Sequence, residues 1–250
     1  VKNTRQQKIL KPLDDFDEAV SLWNIMPSGS GKAVQLLRKI VDQVHEDRFS
    51  NGSVRYPSLL IHGHEGKRTL ARAFVNSLGF DEADEIYGRF MDADHRAKAF
   101  FGKQGEVSHV ILDAEKIRPV TLSIIWEMIE KGEHDFTNIL GQKENIFISG
   151  PLILTTSDIG RVHKSIRDAA GFTVEVEPFS EEQMKLIIHQ RLVFCGIKYE
   201  GEDVLEAVVN AGGGSVSDSI KLLRMAYVMM RADGRGKLSG NDIERTLRLR

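Results

Sequence analysis

Apolar positions at Val34, Leu37, Ile40, Val41 and Val44 fall on one helical stripe between Gly31 and the Asn51-Gly52 pair, so the spacing predicts a helix over 32–48. A short apolar run, Ser58 to Ile61, lies between Pro57 and Gly63 and reads as a buried strand. Behind a glycine-containing loop, Leu70, Phe74 and Leu78 repeat at four-residue intervals and predict a helix over 67–78. The same alternation returns further on. Val110 to Leu112 reads as a strand ending at Asp113, 120–131 as a helix, and Leu152 to Leu154 and Phe172 to Val176 as strands. Strands that alternate with helices predict a parallel sheet covered on both faces, an α/β fold.

After Pro178 the pattern becomes helical throughout. Ser180-Glu181-Glu182-Gln183 has the form of a helix-opening cap, and 204–209, 217–230 and 241–249 follow with helical spacing, separated by glycine clusters. The expected organisation is an α/β domain over 1–180 and a small all-helical domain over 181–250. Met225, Met229 and Met230 share a helix with Leu222 and Leu223 and are expected in its core.

Composition narrows the class. With 250 residues, 41% hydrophobic and 28% charged, the chain can bury a substantial core, which excludes a disordered tail. Its apolar runs are far shorter than the roughly 20 residues of a spanning helix, and Val1 to Leu10 has no apolar signal core, so a soluble cytoplasmic protein with no membrane partner is expected. A net charge of -2 gives no global attraction to nucleic acid. The basic residues of the last 30 positions, among them Lys221, Arg231, Arg235 and Arg245, read as a solvated helical face. The single cysteine, Cys195, lies in an apolar stretch and reads as a buried small hydrophobe. His62 and His64 have no cysteine or acidic companions at ligand spacing, so zinc is not expected.

The candidate chemistry lies at the first strand-to-helix junction. Gly63, Gly66, Lys67, Arg68 and Thr69 stand where backbone N–H groups and a helix dipole favour phosphate, and a lysine there reaches β and γ phosphates. The full phosphate-loop pattern asks for glycine at position 61, where this chain has isoleucine, and for a hydroxyl at position 68, where it has arginine. Pro27 to Lys32 looks superficially similar but has no preceding strand, and reads as a connector.

Taken together, these segments resemble the AAA+ ATPases, in particular the branch-migration motors of Holliday junctions and the clamp-loader subunits. Pro12-Leu13-Asp14-Asp15-Phe16 is similar to the family's N-terminal box, and Gly66 to Gly79 to its phosphate-loop helix. Val110 to Asp113 resembles the Walker B strand and Leu154 to Ser157 the sensor 1 strand. Ser165 to Asp168 resembles the segment bearing an arginine finger after a short helix, and Gly214 to Leu223 the sensor 2 helix. The resemblance implies a five-stranded parallel sheet with a helical lid, ATP or ADP with Mg2+ as cofactors, and assembly with copies of itself or related AAA+ subunits, with DNA reached through the assembly. It implies catalytic roles for Asp113, Glu115, Thr155, Thr156 and Arg167, nucleotide contacts from Gly63, Gly66, Lys67, Arg68 and Thr69, and metal contacts from Thr69 and Asp113. Beyond positions 61 and 68, three more depart from the family. Ala114 stands where the catalytic glutamate is expected, with Glu115 one place later; Ser217 replaces the sensor 2 arginine, and Ala169 a second arginine after the finger. Weak or absent hydrolysis is therefore expected, with a non-catalytic subunit that lends Arg167 to a neighbour as the alternative.

Overall fold

The structure, a computed structural model, describes residues 31–51, 55–81, 83–103, 105–137 and 140–249. The N-terminal box at 12–16 and most of the 27–32 connector lie outside them. Two compact units divide the described residues, one over 31–177 and the other over 178–249.

The first unit is built on five parallel strands: β1 (Leu59–Gly63), β2 (Ala83–Tyr87), β3 (Ser108–Leu112), β6 (Leu152–Thr156) and β7 (Phe172–Val176). Their spatial order is β2-β3-β6-β1-β7. Central β3 and β6 are buried along their whole length, as are Leu59 to Ile61 of β1. That is why these segments appear in the sequence as continuous apolar runs rather than as alternating ones. Helices α1 (Lys32–Asn51), α2 (Lys67–Ser77), α3 (Asp94–Phe101), α4 (Leu122–Glu130) and α5 (Lys164–Ala169) complete the unit. On α1 the buried face is the predicted stripe, Val34, Leu37, Ile40, Val41 and Val44. Helix α4 begins two residues later than expected because Pro119 to Thr121 forms a separate 3-10 turn.

Three elements are new relative to the sequence reading. Strand β2 has the sequence ADEIY and no buried residue, so its polar composition hides it at the sheet edge. Helix α3 buries only Ala97, Phe100 and Phe101. An antiparallel hairpin, β4 (Glu133–Thr137) with β5 (Lys143–Phe147), precedes β6. Each of its strands buries a single residue, Phe136 and Ile146, which join the core of α3 and α4.

The second unit packs α6 (Glu181–Phe194), α7 (Glu202–Ala211), α8 (Val216–Ala232) and α9 (Gly240–Leu247) around Ile188, Leu192, Val208, Leu222, Leu223, Ala226, Met230 and Ile243. Ser180 and Gln183 form the expected capping box at α6. Ser239 and Asp242 form another at α9. Met230 is in the core, but Met225 is 40% exposed because it lies about 100° around α8 from the buried Ala226. Cys195, at the end of α6, is half-buried rather than buried. The basic C-terminal face is laced with acids: Lys221 pairs with Asp218 at 2.9 Å, Arg245 with Asp233 at 2.7 Å, and Arg235 with buried Asp242. Among the described residues no helix is long and apolar enough to cross a membrane.

Candidate functional site

Parallel strands end on one rim, and in open α/β sheets that carboxyl rim is where ligands bind. Here it gathers the ends of β1, β3 and β6. Strand β1 ends at Gly63, whose φ of 104° lies in the region that L side chains rarely adopt. A Cβ there would meet the Val176 carbonyl oxygen at 2.4 Å, so the loop leaves the sheet pressed against β7. The His64 N–H donates to the same carbonyl at 3.0 Å. Gly66, also left-handed with φ 93°, turns the chain into α2 and places Lys67 at its first position.

The Lys67 ammonium donates to the carbonyls of Gly63 at 2.8 Å and His64 at 2.6 Å. Burial pulls its pKa below that of a free lysine, while the negative charges of Glu115, Asp113 and Glu65 oppose the shift. Lysine 67 and these three carboxylates therefore share one electrostatic neighbourhood.

Asp113 follows β3 directly and is, among the described residues, the one non-glycine with positive φ (φ 55°, ψ 54°). The reversal throws Ala114 to Lys116 into a 3-10 turn, closed by a hydrogen bond from Lys116 N–H to the Asp113 carbonyl at 2.9 Å. The turn lies against Gly88, where an added Cβ would meet the Asp113 carbonyl oxygen at 2.5 Å. Two consequences follow. Ala114 is buried, and Glu115 faces β6, where its carboxylate accepts a 2.6 Å hydrogen bond from the Thr156 hydroxyl. Lys116 folds back so that its Nζ lies 2.7 Å from Asp113 Oδ2.

The predicted residues thus divide. Lys67, Asp113, Glu115 and Thr156 come together, with Gly63 and Gly66 shaping the loop between them. Thr155 is buried and, by strand alternation, points to the opposite face of the sheet from Thr156. Thr69 is half-buried on α2, about 100° around the helix from Arg68. Arg68 is turned to β2, where its Nε donates to Glu85 at 2.8 Å, and Arg72 joins it with Nε–Oε1 at 2.7 Å. Burial raises the Glu85 pKa, but the hydrogen bonds and charges of Arg72 and Arg68 outweigh it and hold the carboxyl below its ordinary range. Arg167 lies inside α5 rather than after it, half-buried, with Nη1 3.5 Å from the Ile159 carbonyl. Ser217 sits in the first turn of α8, in the second unit. Sequence reasoning missed Glu85, Lys116 and Gly88. Glu85 sits on the unrecognised edge strand, and the other two matter only once the left-handed turn at Asp113 brings them close.

No family model and no curated protein matches the sequence. Solved structures do. The Holliday junction branch migration motor RuvB of Thermotoga maritima superposes with a TM-score of 0.70 at 16% identity, over 94% of this chain and 73% of that one. A mutant of the same motor gives a TM-score of 0.72 over the same shares. The ORC2 protein of Aeropyrum pernix, solved in ADPNP-ADP complexes, gives 0.62 at 14% identity, over 87% of this chain and 68% of that one. With its five parallel strands and helical second unit, the chain has the fold of the AAA+ ATPases.

Proposed function

We propose that this chain binds ATP or ADP at the carboxyl rim of its sheet, as a subunit of an oligomeric assembly that processes DNA in recombination, repair or replication, and that it hydrolyses ATP slowly or not at all. The observation that carries this reading is the convergence of Lys67 with Asp113, Glu115 and Thr156 from three separate elements. The fold shared with RuvB and ORC2 supports the assembly and DNA parts of the reading.

On nucleotide binding the Lys67 ammonium exchanges the Gly63 and His64 carbonyls for phosphate oxygens, and the first N–H groups of α2 face the same charge. Glu115 is the carboxylate available to orient an attacking water. Its bond from Thr156 fixes its direction and occupies one of its acceptor oxygens. Loss of a well-placed general base forfeits roughly 10²–10⁴ in rate, in line with slow turnover. The residues fit magnesium, which the resemblance implies, less well than they fit nucleotide: Arg68 holds the hydroxyl's position and is bound to Glu85, and Asp113 is bound to Lys116.

Calorimetric titration of the full chain with ATP and with ADP tests the reading. Lys67→Ala is expected to weaken binding about tenfold or more, the loss of one charged hydrogen-bond donor. An affinity equal to that of the wild type overturns the site. A second reading, a structural subunit that lends Arg167 to a neighbour and binds little nucleotide, is favoured by one observation: the loop satisfies itself, with Lys67 on two loop carbonyls and the His64 N–H on Val176. Wild-type titrations without heat separate it from the first.

A further inference from the structure

We propose that this site takes its nucleotide without a divalent cation, with the Lys116 ammonium supplying the positive charge that a metal would bring. The proposal rests on the nucleotide-binding reading above and concerns which counter-charge the phosphates meet.

A magnesium ion bound with nucleotide needs oxygen donors at near-octahedral positions, and it keeps several waters that the protein must hold in turn. The residue after the loop lysine is placed to give one such oxygen. Here that residue is Arg68, a group with five N–H donors and no acceptor, which stays charged at any accessible pH. Its guanidinium is engaged elsewhere, bound to Glu85 on β2, and the same carboxylate is gripped from the next helical turn by Arg72. Neighbouring Thr69 offers a hydroxyl, but a third of a turn further round α2.

The second donor expected at such a site is the carboxylate after β3. Asp113 is present, but its Oδ2 accepts from Lys116 at 2.7 Å. This pairing follows from the backbone. The left-handed residue and the 3-10 turn after it bring position 116 back over position 113, and Gly88 leaves room for the turn to seat. The pair is partly exposed, with 51% of the lysine side chain and 33% of the aspartate in contact with solvent, so the ammonium is accessible to an incoming anion. Lys67 is within electrostatic reach of the same Asp113. Glu115 and Glu65 act on Lys67 as well, so what closes Asp113 to a metal is its direct pairing with Lys116 rather than an excess of positive charge. A cation that takes Asp113 must first displace Lys116 from it, whereas a phosphate can meet the exposed ammonium directly.

The test is calorimetric titration of the full chain with ADP and ATP, in magnesium and in EDTA, for the wild type, Lys116→Ala, Lys116→Gln and the double variant R68T/K116A. The wild type is expected to bind equally, within about twofold, in both buffers. Both single variants are expected to bind about tenfold more weakly in EDTA, as for loss of a charged hydrogen-bond donor. The double variant, which gains a hydroxyl after Lys67 and a free Asp113, is expected to bind more tightly with magnesium than without it. Wild-type affinity that rises about tenfold or more on adding magnesium overturns the inference and leaves the nucleotide reading standing. Metal-independent binding that neither Lys116 variant weakens removes Lys116 from the proposal. Absence of binding in both buffers overturns the nucleotide reading, and this inference with it.

Discussion

Acidification is expected to destabilise the first unit through one residue, His109. Its side chain is 1% exposed on β3, edge-on to Phe100 and Phe101 at centroid distances of 4.9 and 5.4 Å, and its Nδ1 has no hydrogen-bond partner. Burial pushes its pKa from 6.5 to about 4; the charge of Asp84 opposes the shift and that of Lys103 adds to it. Above pH 6.5 the imidazole is neutral in both folded and unfolded chains and takes nothing from stability. As the pH falls from 6.5 toward 4 the unfolded chain takes up a proton that the folded one refuses, so stability drops throughout that window and levels off below it. The shift from 6.5 to about 4, at 1.36 kcal/mol per unit, sets the loss at about 3 kcal/mol. His109→Phe keeps an aromatic ring against Phe100 and Phe101 and removes the titration. Urea midpoints measured against pH for both proteins, followed by NMR signals of 31–177, isolate the effect because all other groups are shared. The wild type is expected to lose stability relative to the variant by roughly that amount between the two ends of the window. Parallel pH profiles, or an imidazole that titrates near 6.5 in the folded protein, would refute the reasoning.

Gly63→Ala places a methyl group 2.4 Å from the Val176 carbonyl at a left-handed φ, and a loss of about 2 kcal/mol or more is expected in thermal melts, together with loss of nucleotide binding. Asp242→Ala removes the carboxylate that accepts from the Ser239 N–H and hydroxyl and from Arg235, and is expected to cost the second unit about 1–2 kcal/mol in denaturant titrations. Thr156→Val deletes the donor to Glu115; about 1–2 kcal/mol of stability is expected to go with it, and any steady-state ATP turnover is expected to fall rather than rise. Arg167→Ala is expected to weaken a nucleotide-dependent oligomer seen by light scattering, and a wild type that stays monomeric with ATP and with DNA argues against a finger acting in trans.

The central sheet was readable because strands buried on both faces leave unbroken apolar runs: LLI in β1, VIL in β3 and LIL in β6. Edge strand β2 and the hairpin were not, since each exposes most of its length and reads as ordinary polar loop. Lys67, Asp113, Glu115 and Thr156 of the candidate site were singled out one by one through family resemblance, while Glu85, Lys116 and Gly88 were not. The grouping of these residues was not legible, because it depends on a single backbone reversal at Asp113 that no periodicity announces. Thr155 and Thr156 show the same limit in miniature. Adjacent and alike in sequence, they part to opposite faces, and only one meets Glu115.

On the proposed reading of the site, the reversal at Asp113 also sets stability against nucleotide binding. A left-handed conformation costs a residue with a Cβ about 1 kcal/mol that glycine would not lose. Asp113→Gly is therefore a substitution that the backbone favours and the chemistry forbids: the protein should melt higher while its rim loses a carboxylate and Lys116 loses its tether. Selection for heat tolerance alone, in a library randomised at this position, should drift to glycine. Selection that also demands nucleotide binding should hold the acid.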